Sequence, residues 1–299
     1  MPLSTIIAQS SPDSGAIYWV DKIARTSLTH ILILAAALTV VRLAIAPYIK
    51  NTPQHLRTGT YSFAKIANEI CDAVIYAAIV VFMIVRPFGI QTFHIPTGSM
   101  LQTLQEGDFI IANKLIYRYT DPKHGDIVVF HPPHEAFFKG QEETDFIKRL
   151  IGVPGDVIEM KNMVLYRNGK ALDEPYQFYD SDGGRPPFTP LAKDQWHTLQ
   201  DETPDFKFVD VDGKTIPLLY KGGVANSPIF NTMPAYQLPN ASSWIGLPAA
   251  KIPDGYYFFM GDHRNGSLDG RMWGLVPRAN IIGRSEFVLL PLSGIRKTR

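Results

Sequence analysis

Residues 157–171, VIEMKNMVLYRNGKA, contain two short runs rich in apolar residues and end near a turn signal. The runs 157–160 and 163–166 have the length and composition of β-strands. Asn168-Gly169 is a dipeptide typical of tight hairpin turns, which require positive φ at both central residues. This stretch therefore predicts antiparallel strands.

The same pattern continues over the chain from about residue 91 onward. Asp212-Gly213 lies between two runs and is a second hairpin signal. The 23 Pro, 23 Gly, 13 Tyr and 17 Phe residues also suit a turn-rich β protein better than a helical bundle. We predict a mainly β fold with antiparallel sheets. Further strand-like runs are 109–112, 126–130, 256–260 and 285–290.

Residues 174–251 differ from their surroundings, because they are richer in Pro, Gly, Asn and Ser and lack sustained periodicity. This composition predicts an inserted, irregular β lobe of loops and hairpins. The sequence assigns no chemistry to the lobe, which is a candidate for contacts with partners.

The overall charge favours no particular class of partner. The 299 residues include 29 Lys and Arg against 28 Asp and Glu, so the formal net charge is +1. No global field attracts nucleic acid. Cys71 is the single cysteine, which excludes an internal disulfide, and its apolar surroundings favour a buried structural thiol.

Residues 28–49 form a first apolar stretch that is long enough to cross a membrane. Arg42 lies toward its C-terminal end, where the side chain can reach the headgroups. A cleavable signal peptide is the alternative, because Ala44-Ile45-Ala46 resembles a cleavage site. Pro47 directly after that site and the long preceding leader argue against cleavage, so we favour a retained transmembrane helix.

A second apolar stretch, residues 69–88, predicts another transmembrane helix, closed by Arg86-Pro87. The linker 50–68 carries lysine and arginine without an acidic residue, whereas residues 1–27 have balanced charges. The positive-inside rule therefore predicts a cytoplasmic linker, a non-cytoplasmic N-terminal segment and an extracytoplasmic domain over 89–299.

Three segments with candidate catalytic side chains follow the second apolar stretch. PTGSMLQTL, residues 96–104, carries a serine in a segment shaped by proline and glycine. FIKRLIGVPGD, residues 146–156, places a lysine between apolar neighbours, where lost solvation lowers the pKa of an amine and allows it to accept a proton. GDHRNGSLDGRMWGLVP, residues 261–277, is unusually dense in acids and arginines for a plain loop. Taken alone, the first segment is also explained by a serine that caps a turn, and the second by a lysine whose charge reaches solvent.

Together with GDFIIANKL and GDIVVF, these blocks resemble bacterial type I signal peptidases in content and order. The resemblance, over roughly a third of the chain, implies an antiparallel catalytic domain of signal-peptidase type and a serine endopeptidase that needs no metal or cofactor. It implies Ser99 as nucleophile and Lys148 as general base, with the Ser99 N–H and the Thr97 hydroxyl as the oxyanion hole. The block at residues 261–277 departs from the usual family pattern at His263, where asparagine is common, and at Gly270, where serine is common.

The resemblance also implies supporting and substrate-binding residues. Ser267 matches a serine that hydrogen-bonds the lysine, and Asp269 and Arg271 match an ion pair behind that serine. Shallow apolar pockets are expected to admit only small side chains before the cut, because each excluded methylene costs about 1 to 3 kcal/mol. The residues expected to bind substrate are Phe93, Ile95, Pro96, Met100, Leu104, Ile110, Phe146 and Ile147.

The expected partners are the signal peptides of secreted preproteins, membrane lipid and the protein-export machinery, with no nucleic acid. The expected location is the bacterial plasma membrane, crossed twice. Self-cleaving repressors of the LexA type are an alternative, but they are soluble and carry a DNA-binding module. A catalytically silent membrane-anchored scaffold is another, although it has no need for the joint presence of Ser99, Lys148, Ser267, Asp269 and Arg271.

Several further motifs have simpler explanations. Ser62-Phe63-Ala64-Lys65 fits the Ser-x-x-Lys pattern of β-lactamases, but its partner motifs are missing. The aspartate-rich turns at 180–183 and 210–213 lack the full ligand spacing of a calcium loop. His131 and His134 flank two prolines, and the sequence places no third metal ligand beside them.

Overall fold

The structure, a computed structural model, describes residues 28–80, 89–137, 143–181, 188–200, 203–225 and 241–298. They belong to two compact units, one up to Thr92 and the other from Phe93 onward.

Among its described residues, the first unit contains two α-helices, α1 (Leu28–Asn51) and α2 (Gly59–Ile79). Within the described residues, α1 is the helix that is long and apolar enough to cross a membrane, over Thr29–Asn51. Helix α2 begins before residue 69, so part of the predicted linker is helical. Residues 81–88 of the predicted second span lie outside the described residues.

An ion pair connects the two helices, because Arg42 Nη1 lies 2.7 Å from Asp72 Oδ1. The sequence predicts that the charge of Arg42 reaches the headgroups. In the structure the Asp72 carboxylate also matches this charge, which reduces the cost of placing an arginine in an apolar helix.

The second unit is built mainly from antiparallel β-strands, as predicted. Two short helices, α3 (Ile116–Tyr119) and α4 (Gly270–Trp273), accompany them. The strands are β1 (Ile90–His94), β2 (Phe109–Asn113), β3 (Ile127–Phe130), β4 (Phe146–Gly152), β5 (Ile158–Lys161), β6 (Val164–Arg167), β7 (Lys170–Ala171), β8 (Asp205–Val211), β9 (Lys214–Lys221), β10 (Val224–Ala225), β11 (Tyr256–Met260), β12 (Val276–Pro277), β13 (Ile281–Leu290) and β14 (Arg296–Lys297).

The strands form two sheets. The larger has the order β1-β2-β13-β3-β4-β11-β12, with β14 also paired to β13, and the smaller has the order β10-β9-β8-β5-β6-β7. All six strand-like runs that the sequence predicts coincide with strands, and five of them have one or both ends shifted. Both predicted turns adopt positive φ, at +53° and +77° for Asn168 and Gly169 and at +51° and +77° for Asp212 and Gly213.

A third tight turn was not predicted. Asn162 and Met163 connect β5 to β6 with φ values of +49° and +67°. The sequence reading assigned Met163 to a strand because methionine is apolar. A side chain at positive φ costs roughly 1–2 kcal/mol, so composition alone disfavours this turn.

More of the predicted lobe is regular than the sequence suggests. Strands β8 and β9 form a long hairpin inside residues 174–251, and β8 pairs with β5 through Glu159↔Lys207 and Met160↔Phe206. Phe206 and Phe208 are fully buried in a cluster with Phe258 of β11. The hairpin therefore completes the smaller sheet.

Strands β4 and β11 lie between two apolar cores. Phe258 belongs to the core it shares with β8, whereas Tyr257 and Phe259 face a core with Trp273. A strand buried on both faces reads as a continuous apolar run, as residues 256–260 do. Any polar side chain on β4 near these cores is consequently shielded from water.

Candidate active site

Ser99 lies in a short 3₁₀ turn, Gly98–Met100, and is almost entirely buried. The turn is packed closely, because a Cβ added to Gly98 would lie 2.8 Å from the ring of Phe188. A second glycine allows the loop after β11 to approach: a Cβ at Gly261 would lie 2.2 Å from Ser267 Oγ and 2.5 Å from the Ser99 carbonyl oxygen. Glycines on both sides thus fix where the serine lies.

Lys148 points its amine at this serine. It lies on β4, opposite Val128 of β3, and its side chain is buried. The Nζ atom is 2.8 Å from Ser99 Oγ and 3.0 Å from the carbonyl oxygen of Ile147. The structure therefore brings together the two residues that the sequence singled out, 49 positions apart.

Burial lowers the pKa of Lys148 from 10.5 to about 8, because the ammonium loses its hydration. The carboxylates of Asp269 and Asp262 oppose this effect. At pH 7 this pKa leaves about one tenth of the amine uncharged, and that fraction can accept a proton from Ser99.

Thr97 lies beside the serine on the exposed side of the turn. Its hydroxyl donates a hydrogen bond of 3.3 Å to Ser99 Oγ. A donor in this position is close to where negative charge would develop on a carbonyl attacked by Ser99.

Asp269 and Arg271 form the expected ion pair. Arg271 Nε lies 2.8 Å from one carboxylate oxygen and Nη2 lies 2.9 Å from the other, so the pair is bidentate and buried. The Gly261 N–H also donates to this carboxylate, at 2.9 Å. These contacts fix the shape of the loop after β11 next to Lys148.

The expected hydrogen bond between Ser267 and Lys148 is not present. Ser267 Oγ is buried and has no hydrogen-bond partner within the described residues, whereas Lys148 donates to Ser99 and to the Ile147 carbonyl. The sequence reading was therefore wrong about this contact. The position of Ser267 depends on how the loop packs over Gly261, which a motif does not specify.

The structure contains two buried ion pairs whose partners the sequence did not predict. Arg149 forms a bidentate pair with Asp262, at 2.7 and 2.6 Å. Arg264 forms another with Glu174, at 3.0 and 2.7 Å. The density of charges at residues 261–271 was the available signal, but each partner comes from a distant part of the chain.

An apolar cleft of about 400 Å³ opens beside the dyad. Five of the eight residues predicted to bind substrate line it: Phe93, Ile95, Pro96, Phe146 and Ile147. The other three, Met100, Leu104 and Ile110, are fully buried in the core cluster that contains Ile95. Ile95 belongs to the same cluster and also lines the cleft, so a substrate-binding role for these three stays a prediction.

The family described as "Signal peptidase, peptidase S26" matches residues 67–290, which include every residue of this site. This chain belongs to that family. It is accordingly a serine endopeptidase. The matched range also includes most of helix α2.

Curated relatives agree with this assignment. A protein named "Probable signal peptidase I-1" from Synechocystis is 30% identical over 74% of this chain and 81% of its own length. "Signal peptidase I" from Aquifex aeolicus is 31% identical over 71% of this chain and 80% of its own length. A solved signal peptidase I from Enterococcus faecalis is 24% identical and covers 55% of this chain and 97% of its own, with a TM-score of 0.30, too low for the folds to be compared.

Proposed function

We propose that this peptidase removes N-terminal signal peptides from exported preproteins, cutting after small residues through a Ser99–Lys148 dyad and an acyl-enzyme. The distance of 2.8 Å between Lys148 Nζ and Ser99 Oγ carries the proposal. The pKa of about 8 for Lys148 supports it, because the amine can be neutral under working conditions.

The reaction begins when Lys148 accepts the Ser99 proton while Ser99 Oγ attacks the carbonyl carbon at the cleavage site. Lys148 then returns that proton to the leaving amine, and the signal peptide remains as an ester on Ser99. A water molecule, deprotonated by Lys148, hydrolyses the ester and restores both side chains.

The oxyanion formed at each attack is assigned to the Ser99 N–H and the Thr97 hydroxyl. The 3.3 Å contact from Thr97 to Ser99 Oγ supports this role, since it places a donor next to the reacting oxygen. Thr97→Val, which keeps the shape and removes the donor, is expected to lower kcat.

Selectivity for small side chains is assigned to the cleft. Ile95 is 2% exposed and packs into the core, so this part of the wall is firmly supported. Ile95→Ala is expected to enlarge the pocket and relax the choice of cleavage site. Unchanged site choice in Ile95→Ala and Ile147→Ala would count against this assignment.

The direct test of the dyad is processing of a purified preprotein by the full chain. Ser99→Ala is expected to abolish cleavage, because no other hydroxyl replaces the nucleophile. Ser285→Ala is a matched control, since Ser285 is also buried and lies on β13, and it is expected to cleave at the wild-type rate. Equal processing by both variants would remove Ser99 from the mechanism.

We further propose that the peptidase crosses the bacterial plasma membrane twice, with residues 50–68 cytoplasmic and the β-rich unit outside. The apolar helix α1 and the basic charges of the linker support this orientation. Lipid and the protein-export machinery are then its partners. Protease added to spheroplasts should digest the β-rich unit, and complete protection of that unit would refute the orientation.

A further inference from the structure

His263 connects the start of the predicted lobe to the nucleophile turn. It is fully buried, and its Nδ1 lies 3.0 Å from the carbonyl oxygen of Gly98. Its backbone N–H donates to the carbonyl oxygen of Ser99 at 3.3 Å. Because a carbonyl can only accept, the ring proton that faces Gly98 lies on Nδ1.

The chain around His263 holds this ring in one orientation. The ring packs edge-on against Phe178 and Phe188, and Nε2 lies 3.0 Å from Asp180 Oδ2 but makes no hydrogen bond within the described residues. On another side, a Cβ added to Gly266 would lie 2.3 Å from the ring. The imidazole consequently has little room to rotate away from Gly98.

Asp180 is itself fixed by the same loop. Asn265 Nδ2 donates to the Asp180 carbonyl at 2.7 Å, and the Asp180 N–H donates to Asn265 Oδ1 at 3.1 Å. Backbone hydrogen bonds join Phe178 to Asp262 and Arg264, at 2.9 and 2.8 Å. Residues 174–181 are therefore bound to the loop after β11 along most of their length.

The carbonyl that His263 contacts belongs to the peptide unit whose N–H is that of Ser99. A trans peptide is planar, with its C=O and N–H pointing in opposite directions. A hydrogen bond that fixes the Gly98 oxygen thus also fixes the direction of the Ser99 N–H. It polarises the peptide as well, which strengthens that N–H as a donor.

We propose that His263, confined between Phe178, Phe188 and Asp180, is a positioning residue that aims the Ser99 N–H at the oxyanion. His263 itself contacts no substrate. The inference rests on the proposed function, because it presumes that Ser99 attacks a carbonyl. It gives residues 174–181 a role in catalysis that the sequence did not indicate.

Two amide substitutions test the proposal as a matched pair. In His263→Asn the amide nitrogen branches at the position of Nδ1 and can still donate to Gly98. In His263→Gln the amide lies one bond farther out, toward Asp180, and leaves Gly98 without this donor. We expect His263→Asn to retain kcat within about threefold and His263→Gln to lower kcat about 30-fold with KM unchanged.

The split between kcat and KM separates positioning from a loss of fold. Equal kcat for His263→Gln and the wild type would overturn the proposal. Equal losses of kcat in His263→Asn and His263→Gln, accompanied by a lower thermal unfolding midpoint, would also overturn it. If His263→Gln does not fold, Asp180→Asn takes its place, with an expected loss of about fivefold in kcat, and an unchanged kcat there would refute the role of Asp180.

The chemical shift of the Ser99 amide, measured by NMR on ¹⁵N-serine-labelled full-length protein, reports the peptide orientation without any substrate. It should move in His263→Gln and stay in place in His263→Asn, and the same shift in all three proteins would overturn the inference. If the wild type processes no preprotein while the amide behaves as expected, then the proposed function fails and the positioning contact stands.

Discussion

Lys148 and Lys207 are both buried strand lysines, one on each sheet of the β-rich unit. They are 5% and 7% exposed, and burial lowers the pKa of both. Lys148 donates to the hydroxyl of Ser99, whereas Lys207 donates to the carbonyl oxygens of Ile245 and Leu247. A carbonyl has no proton to give, so Lys207 can only act as a structural cation.

The comparison teaches that apolar flanks do not identify a catalytic lysine. Lys148 follows Phe146 and Ile147, and Lys207 lies between Phe206 and Phe208. The local patterns are alike, and so is the burial. What differs is the group that faces the amine, and that group is supplied by another part of the chain.

The largest expected effect is on catalytic activity, which should fall when Lys148 is replaced and change little when Lys207 is replaced. Lys148→Arg should lower kcat for preprotein processing by about 10³-fold or more, because a guanidinium stays protonated and cannot act as base. Lys207→Arg keeps a donor for the two carbonyls and should remain within about threefold of the wild type. Comparable losses in both variants would erase the distinction.

Stability should change in opposite directions. Lys148→Met should raise the free energy of unfolding at pH 7 by about 1–3 kcal/mol, because it removes a buried amine whose folded pKa is depressed. Lys207→Met should lower it by about 1–3 kcal/mol, because two carbonyls lose their donor and this loss outweighs the gain from removing an amine whose pKa is less strongly lowered.

The sign of the Lys148 effect also depends on pH. Unfolded lysine keeps its proton up to about pH 10.4, whereas the folded amine loses it near pH 8. The gain from Lys148→Met should thus be largest below pH 8 and shrink between pH 8 and 10. Urea unfolding at several pH values measures it, and a gain that grows with pH would contradict the assignment.

The smallest expected effect is on the pH profile. For the wild type, kcat/KM should fall about tenfold for each pH unit below 8, as Lys148 gains its proton. Lys207→Met should show the same profile, since that amine takes no part in the reaction. A flat wild-type profile between pH 6 and 8 would exclude Lys148 as the titrating base.

Strand positions and the two glycine-containing turns were predictable because their signals are local. Period-two patterns and Asn-Gly or Asp-Gly turns depend on neighbouring residues alone. The turn at Asn162 and Met163 escaped because Met163, unlike Asn162, is not a residue type that favours positive φ. The pairing of β8 with β5 escaped because strand order depends on distant contacts.

The site divides in the same way. The motif blocks identified Ser99, Lys148, Asp269 and Arg271, and the geometry joins them as two pairs. Three predicted pocket residues belong to the core cluster of Ile95 and do not line the cleft as described, and Ser267 makes no hydrogen bond to Lys148. In both cases the residue type was suitable, but the direction of the side chain was fixed by packing.

By itself, the sequence determined the class of the fold, its apolar N-terminal helix and which residues we propose as nucleophile and base. Residue types and local spacing carry that information. Only the tertiary structure decided which lysine faces a hydroxyl, which apolar residues line the cleft and that His263 reaches Gly98. The physical reason is that desolvation and hydrogen-bond partners are set by residues far apart in the chain, which become neighbours only when the sheets pack.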